Sequence, residues 1–168
     1  LPSYDLREEI LPEHFIFFRP RNIVSGDFFW VKKLKNFVVV AIADCTGHGV
    51  PGAIMSMLGI SLLRDVVVKE YITHTGVVLK KLRKEIIRQL NQGENENNKD
   101  GMDISLCAFN KNEMTLQFSG ANNPIYIVRE SNKPEIPHDR KLQEGQFTLY
   151  ELKGDKMPVS MHEVMDNF

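Results

Sequence analysis

Apolar positions cluster into strand-length runs near both ends of the chain, with two helix-length stretches between them. His14–Arg19 is apolar and aromatic and predicts a strand. Asp27–Leu34 predicts a second strand, and Lys35-Asn36 a two-residue turn. Phe37–Ala43 is apolar without alternation, which predicts a strand buried on both faces. Together these segments read as an antiparallel meander that brings Asp27 and Asp44 near one end.

Helical patterning follows. Pro51 suits a first helical turn, where its missing N–H costs nothing. Gly52–Tyr71 is apolar on most sides and predicts a core helix; Gly52, Ala53, Ser56, Gly59 and Ser61 are small enough to let it lie close to a sheet. A second helix is expected from about Gly76 to Leu90, with Leu79, Leu82, Ile86 and Leu90 as its buried stripe and Lys80, Lys81, Arg83, Lys84 and Arg88 mostly on the other side.

Gln92–Gly101 is polar and reads as a solvated loop. Ile104–Phe109 and Met114–Ser119 alternate about Asn110-Lys111-Asn112 and predict a hairpin. Ile125–Arg129 and Phe147–Leu152 are further strands, and Glu130–Gln146 between them reads as a polar surface excursion. Leu1–Pro12 is a short helical or linker lead-in. Strands, then two helices, then strands predict an α+β layered sandwich rather than alternating parallel units.

Composition narrows the picture. The chain has 168 residues, 42% hydrophobic and 26% charged, enough for one domain with its own core. A net charge of -1 gives no reason to expect nucleic acid or a membrane surface as partner. No segment is read as approaching the roughly 20 apolar residues of a membrane span. Leu1 is not an initiator Met and no signal pattern follows it, so more protein is expected upstream. Cys45 and Cys107 form neither a disulfide framework nor a zinc spacing, so a reducing, cytoplasmic setting is expected.

The chemistry concentrates in Val24–Met57. Asp27 sits in Ser25-Gly26-Asp27-Phe28-Phe29, and Asp44 closes an apolar run before Cys45-Thr46-Gly47-His48-Gly49. Each Asp alone has an ordinary reading, as a turn residue or a helix cap. Two carboxylates on neighbouring strands, one before a Gly-rich turn, instead favour a site for a pair of hard divalent cations. Mg²⁺ and Mn²⁺ take oxygen ligands and keep several waters. The Cys45 carbonyl is the natural backbone ligand, and Gly47 and Gly49 would let backbone and water come close. A water bridging two metals would ionise near neutral pH and attack phosphorus in line.

The Cys45 thiol has no evident base and reads as a small buried residue. His48 is either a proton donor to a leaving group or a residue that shapes the turn. Arg19 and Arg21 are either bidentate phosphate holders or solvated strand-end residues. Asp100 and Asp103 are read as ordinary loop and hairpin-start residues, outside the ligand set.

Val24-Ser25-Gly26-Asp27-Phe28-Phe29-Trp30 and Ala43-Asp44-Cys45-Thr46-Gly47-His48-Gly49-Val50-Pro51-Gly52-Ala53 resemble the SpoIIE/RsbU branch of the PPM-type metal-dependent serine/threonine phosphatases. The resemblance continues at Asp100-Gly101-Met102-Asp103-Ile104-Ser105-Leu106, Phe118-Ser119-Gly120-Ala121-Asn122-Asn123-Pro124 and Gly154-Asp155-Lys156-Met157-Pro158. It implies a single SpoIIE-type domain over 1–168 with an α-β-β-α arrangement of two central, mainly antiparallel sheets, and residues 1–12 as the end of an N-terminal linker.

It also implies a Mn²⁺ or Mg²⁺ pair, with Asp27 as the first metal aspartate, Asp44 as the bridging one and the Cys45 carbonyl as a further ligand. The implied activity is hydrolysis of phosphoserine or phosphothreonine on a bacterial signalling protein, with a STAS-type anti-sigma-factor antagonist as substrate. An upstream sensor and a homodimer formed through the preceding helix are implied partners.

Two departures from the family pattern stand out. The later Thr-Asp-Gly-type and Asp-Asp/Asn-x-Thr-type motifs, which supply more metal ligands, do not occur before Phe168. His48 lies four residues after Asp44, where relatives outside this branch place a His two residues after. The chain is therefore expected to be an incomplete domain, weakly active or inactive alone and prone to self-association through an open sheet edge. The alternative function is a catalytically inactive, phosphatase-like module that binds a partner.

Overall fold

The computed structural model describes residues 10–11, 13–90, 100–162 and 166–168. Most of the expected lead-in (1–9 and 12) and most of the polar loop (91–99) lie outside the described residues.

Strands β1 (Phe28–Leu34) and β2 (Phe37–Cys45) form an antiparallel hairpin closed at Leu34 opposite Phe37. Lys35 takes the left-handed corner of the turn, at φ 39°. The chain then forms α1 (Gly49–Arg64), a π-helical turn over Asp65–Lys69, and α2 (Thr75–Gln89). It returns as β3 (Met102–Asn110) and β4 (Thr115–Ala121), giving a four-stranded sheet in the order β1-β2-β3-β4. A second sheet of β5 (Ile125–Glu130), β6 (Arg140–Glu144) and β7 (Phe147–Leu152) has the order β5-β7-β6. All ladders in both sheets are antiparallel.

The core lies between the first sheet and the helices. Strand side chains alternate, so Phe28 and Trp30, Val39 and Ala41, Met102, Ile104 and Leu106 share one buried face. Met55, Leu63, Val67, Leu79, Leu82 and Ile86 pack onto it. The small residues of α1 do what their pattern predicts: a Cβ at Gly59 would lie 2.7 Å from Met102 Cε and 3.1 Å from Phe28 Cε1. A larger residue there would force the Met102 and Phe28 side chains to move aside.

Several expectations change. His14–Arg19 forms no strand and joins no ladder among the described residues, and Phe15 and Phe17 are 90% and 84% exposed. Aromatic content reports a taste for a half-buried pleated surface, and a ladder needs a partner edge as well. β2 is buried along its helix-facing side but only in part on the other, where Val38 is covered by Ile10 and Leu11 and Ile42 is exposed. β6 lies inside the stretch read as an excursion; it is exposed throughout and is held by its ladder to β7 rather than by burial.

Arg83, expected on the basic side of α2, is buried among the Leu79–Ile86 stripe. The helical run Gly49–Lys69 counts 21 residues and holds an 18-residue stretch with a mean hydropathy of 1.5, so a segment of membrane-span length and composition does exist. One face of that run is buried in the core while Val50, Ile54 and Met57 on the other are exposed. An apolar helix laid on a sheet reaches that composition for packing reasons.

Candidate functional site

The strand registers decide which carboxylates meet. Phe28 pairs with Ala43, so Asp27 comes beside Asp44 at the same end of the sheet. Asp44 lies directly opposite Asp103 on β3. Asp103, read from sequence as a hairpin-start residue, thus stands with the other two. The signal that could have found it is the alternation of β3, which puts Asp103 on the face opposite the buried Met102 and Ile104. Asn122 Nδ2 donates to Asp103 Oδ1 at 2.8 Å and fixes that side chain.

Three clips hold the loops that carry these groups. The Asp27 amide donates to Ser25 Oγ at 2.9 Å, a local turn bond. The Ser56 hydroxyl of α1 reaches Ser25 O at 3.1 Å and ties this turn to the helix. Across the sheet, the Thr46 amide donates to Gly101 O and the Gly101 amide donates to Thr46 Oγ1, both at 2.9 Å. These last bonds extend the β2–β3 pairing past its end and hold Asp44, Cys45 and Asp103 in register.

Electrostatics follow from this crowding. Partial burial raises the Asp44 carboxyl above its ordinary range, and the charge of Asp27, a hydrogen bond with Asp27 and the charge of Asp103 raise it further. A divalent cation among these oxygens would relieve the repulsion. The backbone adds acceptors: a Cβ on Gly26 would sit 2.9 Å from both Cys45 O and Gly47 O, so only a glycine lets these carbonyls lie so near. Gly47 turns through φ 87° to deliver them.

Among the described residues no group of three His, Cys, Asp or Glu side chains is arranged to hold a metal by side chains alone. The donor set that fits a hard cation is therefore carboxylate plus carbonyl plus water, the set Mg²⁺ and Mn²⁺ prefer.

Two concavities border Asp44. One, of about 410 Å³, is lined by Asp44, Cys45, Thr46, Gly47, His48, Gly101, Met102, Asp103 and Pro158. The other is a mainly apolar groove of about 470 Å³ that includes Asp27, Asp44, Arg19 and aromatic side chains. His48, exposed and at the N-cap of α1, thus stands on the acidic cleft, and Arg19 on the groove. Arg21 lines neither, and Asp100 is exposed and outside both.

The thiols are quiet. Burial pushes Cys45 up to about 12, with the Asp44 and Asp27 charges adding to it, and burial alone pushes Cys107 up to about 11. Neither is a thiolate at neutral pH, so neither serves as a nucleophile. Native protein at pH 8 is expected to react with a thiol reagent at least tenfold more slowly than the same protein in denaturant, where both cysteines titrate at roughly 8.5. Unfolded thiols ionise first as pH rises, so the contribution of these groups to stability is full below about 8.5 and is lost as pH climbs through about 11 for Cys107 and about 12 for Cys45. Rapid labelling of folded protein at pH 8 would refute this.

The family model for Stage II sporulation protein E (SpoIIE) matches residues 35–148. No curated protein shows a significant match. Among solved structures, the SiaA-PP2C domain of Pseudomonas aeruginosa is similar at a TM-score of 0.73 and 22% identity, over 95% of this chain and 56% of that one. A structure described as part of the bacterial stressosome, a modular system adapted to control secondary messenger signaling, gives a TM-score of 0.51 at 16% identity over 81% of this chain and 66% of that one. RsbX in complex with magnesium gives 0.50 at 15% identity, over 81% of this chain and 64% of that one. At these identities the likeness is one of fold, and the chain spans 56% of the length of the SiaA-PP2C chain.

Proposed function

Because the chain belongs to the SpoIIE family and carries the PP2C domain fold, we propose that it hydrolyses phosphoserine or phosphothreonine on a regulatory protein with the help of divalent cations. The observation that carries this reading is the meeting of Asp27 and Asp44 beside an oxygen-rich cleft, where burial first and Asp27 next raise the Asp44 carboxyl. Asp27, Asp44 and the Cys45 carbonyl are the groups that would hold Mn²⁺ or Mg²⁺. When bound, such cations supply Lewis acidity toward a phosphoryl group and its attacking water.

The chain's own residues do the rest. Burial and its acidic neighbours make protons compete more strongly for Asp44, and a bound cation would oppose that. Gly26 and Gly47 keep the loop carbonyls turned together. Arg19 lines the groove that shares Asp27 and Asp44, and in this reading it would grip phosphate oxygens bidentately. His48 lines the cleft, and in this reading it would hand a proton to the departing side-chain oxygen.

The substrate class that fits a signalling phosphatase of this family is a phosphorylated STAS-type protein, with an upstream sensor as the source of control, in the cytoplasm. A second reading, a partner-binding module without chemistry, draws on the lack of a three-side-chain metal cluster among the described residues.

The test is phosphate release from a phosphoserine-bearing STAS protein and from a phosphoserine peptide. Release with Mn²⁺ that stops on chelation supports the enzyme. Tight binding of the phosphoprotein with no phosphate released at any Mn²⁺ concentration, by this chain and by a longer one that continues past Phe168, would overturn it in favour of the binding module.

A further inference from the structure

Arg83 is 5% exposed and lies on the face of α2 that carries Leu79 and Ile86. A buried guanidinium is costly unless its donors are met. Among the described residues its guanidinium meets Met157, Asp166 and Phe168. Nη1 donates to Met157 Sδ at 3.2 Å, Nη2 donates to Asp166 O at 2.6 Å, and the guanidinium carbon lies 4.7 Å from the centre of the Phe168 ring. Burial pulls the guanidinium pKa down, and the Asp166 charge pushes it back up. The same stretch of chain depends on Gly76 of α2, where a Cβ would stand 2.5 Å from Phe168 O.

Met157 adjoins Pro158, which forms a wall of the acidic cleft. Met157, Val159 and Ser160 are buried, at 3%, 0% and 1% exposure, while Pro158 between them lines the cleft with Asp44 and Asp103. The Val159 amide donates to Met102 O at 2.8 Å. A Cβ on Gly101 would lie 2.4 Å from Ser160 Cβ, so the wall is pressed against the residues that lead into Asp103. Gly101 in turn is bonded to Thr46, two residues from Asp44.

We propose that Arg83 is a positioning residue. It fixes Met157–Ser160 against Gly101 and Met102, and couples the shape of the acidic cleft to the docking of Asp166–Phe168 on α2. The part of this that concerns metal rests on the reading of the cleft as a metal site; the part that concerns the wall does not.

The experiment compares the full chain with Arg83→Met and Arg83→Lys by hydrogen exchange and by Mn²⁺ calorimetry. Arg83→Met keeps an unbranched, apolar-tolerant side chain but removes every donor. It is expected to speed exchange of the Val159 amide about tenfold, leave the β5–β7 amides such as Leu149 at wild-type rates, and weaken Mn²⁺ binding about tenfold. Arg83→Lys keeps one cationic donor and is expected to recover part of both losses.

Unchanged exchange at Val159, or a rise shared equally by β5–β7, would overturn the proposal, since the second pattern is plain loss of global stability. Should Arg83→Met fail to fold, Phe168→Ala removes one partner at the edge of the core and must show the same local pattern in smaller degree; wild-type exchange at Val159 in that variant overturns the coupling. If the wild-type chain binds no Mn²⁺, the metal reading fails while Val159 exchange still decides the role of Arg83.

Discussion

Asp44→Asn is expected to abolish divalent-cation binding while leaving the metal-free fold intact. Asp44 is the carboxylate that faces both others, Asp27 across the β1–β2 pair and Asp103 across the β2–β3 pair. Without a cation this crowding is unfavourable: the carboxyl is raised above its ordinary 3.8 by burial first and by its acidic neighbours next. An amide in its place removes the repulsion but also the charge that a cation needs. Metal-free Asp44→Asn should therefore melt no lower than wild type.

The difference appears on adding Mn²⁺. A ligand at 100 times its dissociation constant stabilises the native state by about 2.7 kcal/mol. For a chain of this size that raises the melting temperature by about 5–10 °C. Wild type should show that rise and Asp44→Asn none. Asp103→Asn, whose carboxylate is partly occupied by Asn122, should keep a reduced rise.

The pH dependence has a definite sign. Asp44 with a raised pKa favours the metal-free fold below 3.8, and that contribution is lost as pH rises through its folded value. Metal binding runs the other way, because the cation competes with the proton. The Mn²⁺-induced rise should grow from mildly acidic pH to neutral and then level off. An undiminished rise in Asp44→Asn, measured by calorimetric melting, would remove Asp44 from the site.

What the sequence made legible was the strand–turn–helix unit. An apolar run ending in Asp44 and a Gly-rich turn that enters a helix are local features, and local spacing carried them intact into β2, the turn and α1. What it left obscure was set by register and by remote partners. Asp103 joins the acidic cleft only because β3 pairs with β2 at one particular offset, and a one-residue slip would turn it to the core side. Arg83 looked like one more cation on a basic helix face. Its burial depends on Met157, Asp166 and Phe168, more than 70 residues away.

β6 was hidden for the opposite reason. Its residues have almost no apolar signal, and the strand exists because β7 offers an edge. His14–Arg19 shows the converse, a strong apolar signal with no edge to meet among the described residues.

Gly52→Ala tests the construction of the turn, and here two principles predict opposite signs. Gly52 lies inside α1, where helix propensity alone makes alanine more stable by about 0.5–1 kcal/mol. Packing says otherwise. A Cβ at Gly52 would lie 2.6 Å from Gly47 O and 3.1 Å from Gly26 Cα, both backbone atoms that cannot swing aside. Gly26, Gly47 and Gly52 form one close stack, so the strain reaches the Gly47 and Cys45 carbonyls that Gly26 admits.

Overpacking of this kind costs about 1–3 kcal/mol and exceeds the propensity gain. Gly52→Ala should therefore melt lower by several degrees, about 2–4 °C for each kcal/mol lost. It should also bind Mn²⁺ more weakly, because the carbonyl donors shift with the loop. Gly49→Ala is the control: its φ of 61° costs alanine about 1–2 kcal/mol in backbone strain, but no atom lies within 4 Å of the new methyl. That variant should lose stability while keeping the stack, and so keep more of its Mn²⁺ affinity than Gly52→Ala. If Gly52→Ala instead gains stability and binds Mn²⁺ as wild type does, the three glycines are not in close contact, and the carbonyl half of the cation site falls with them.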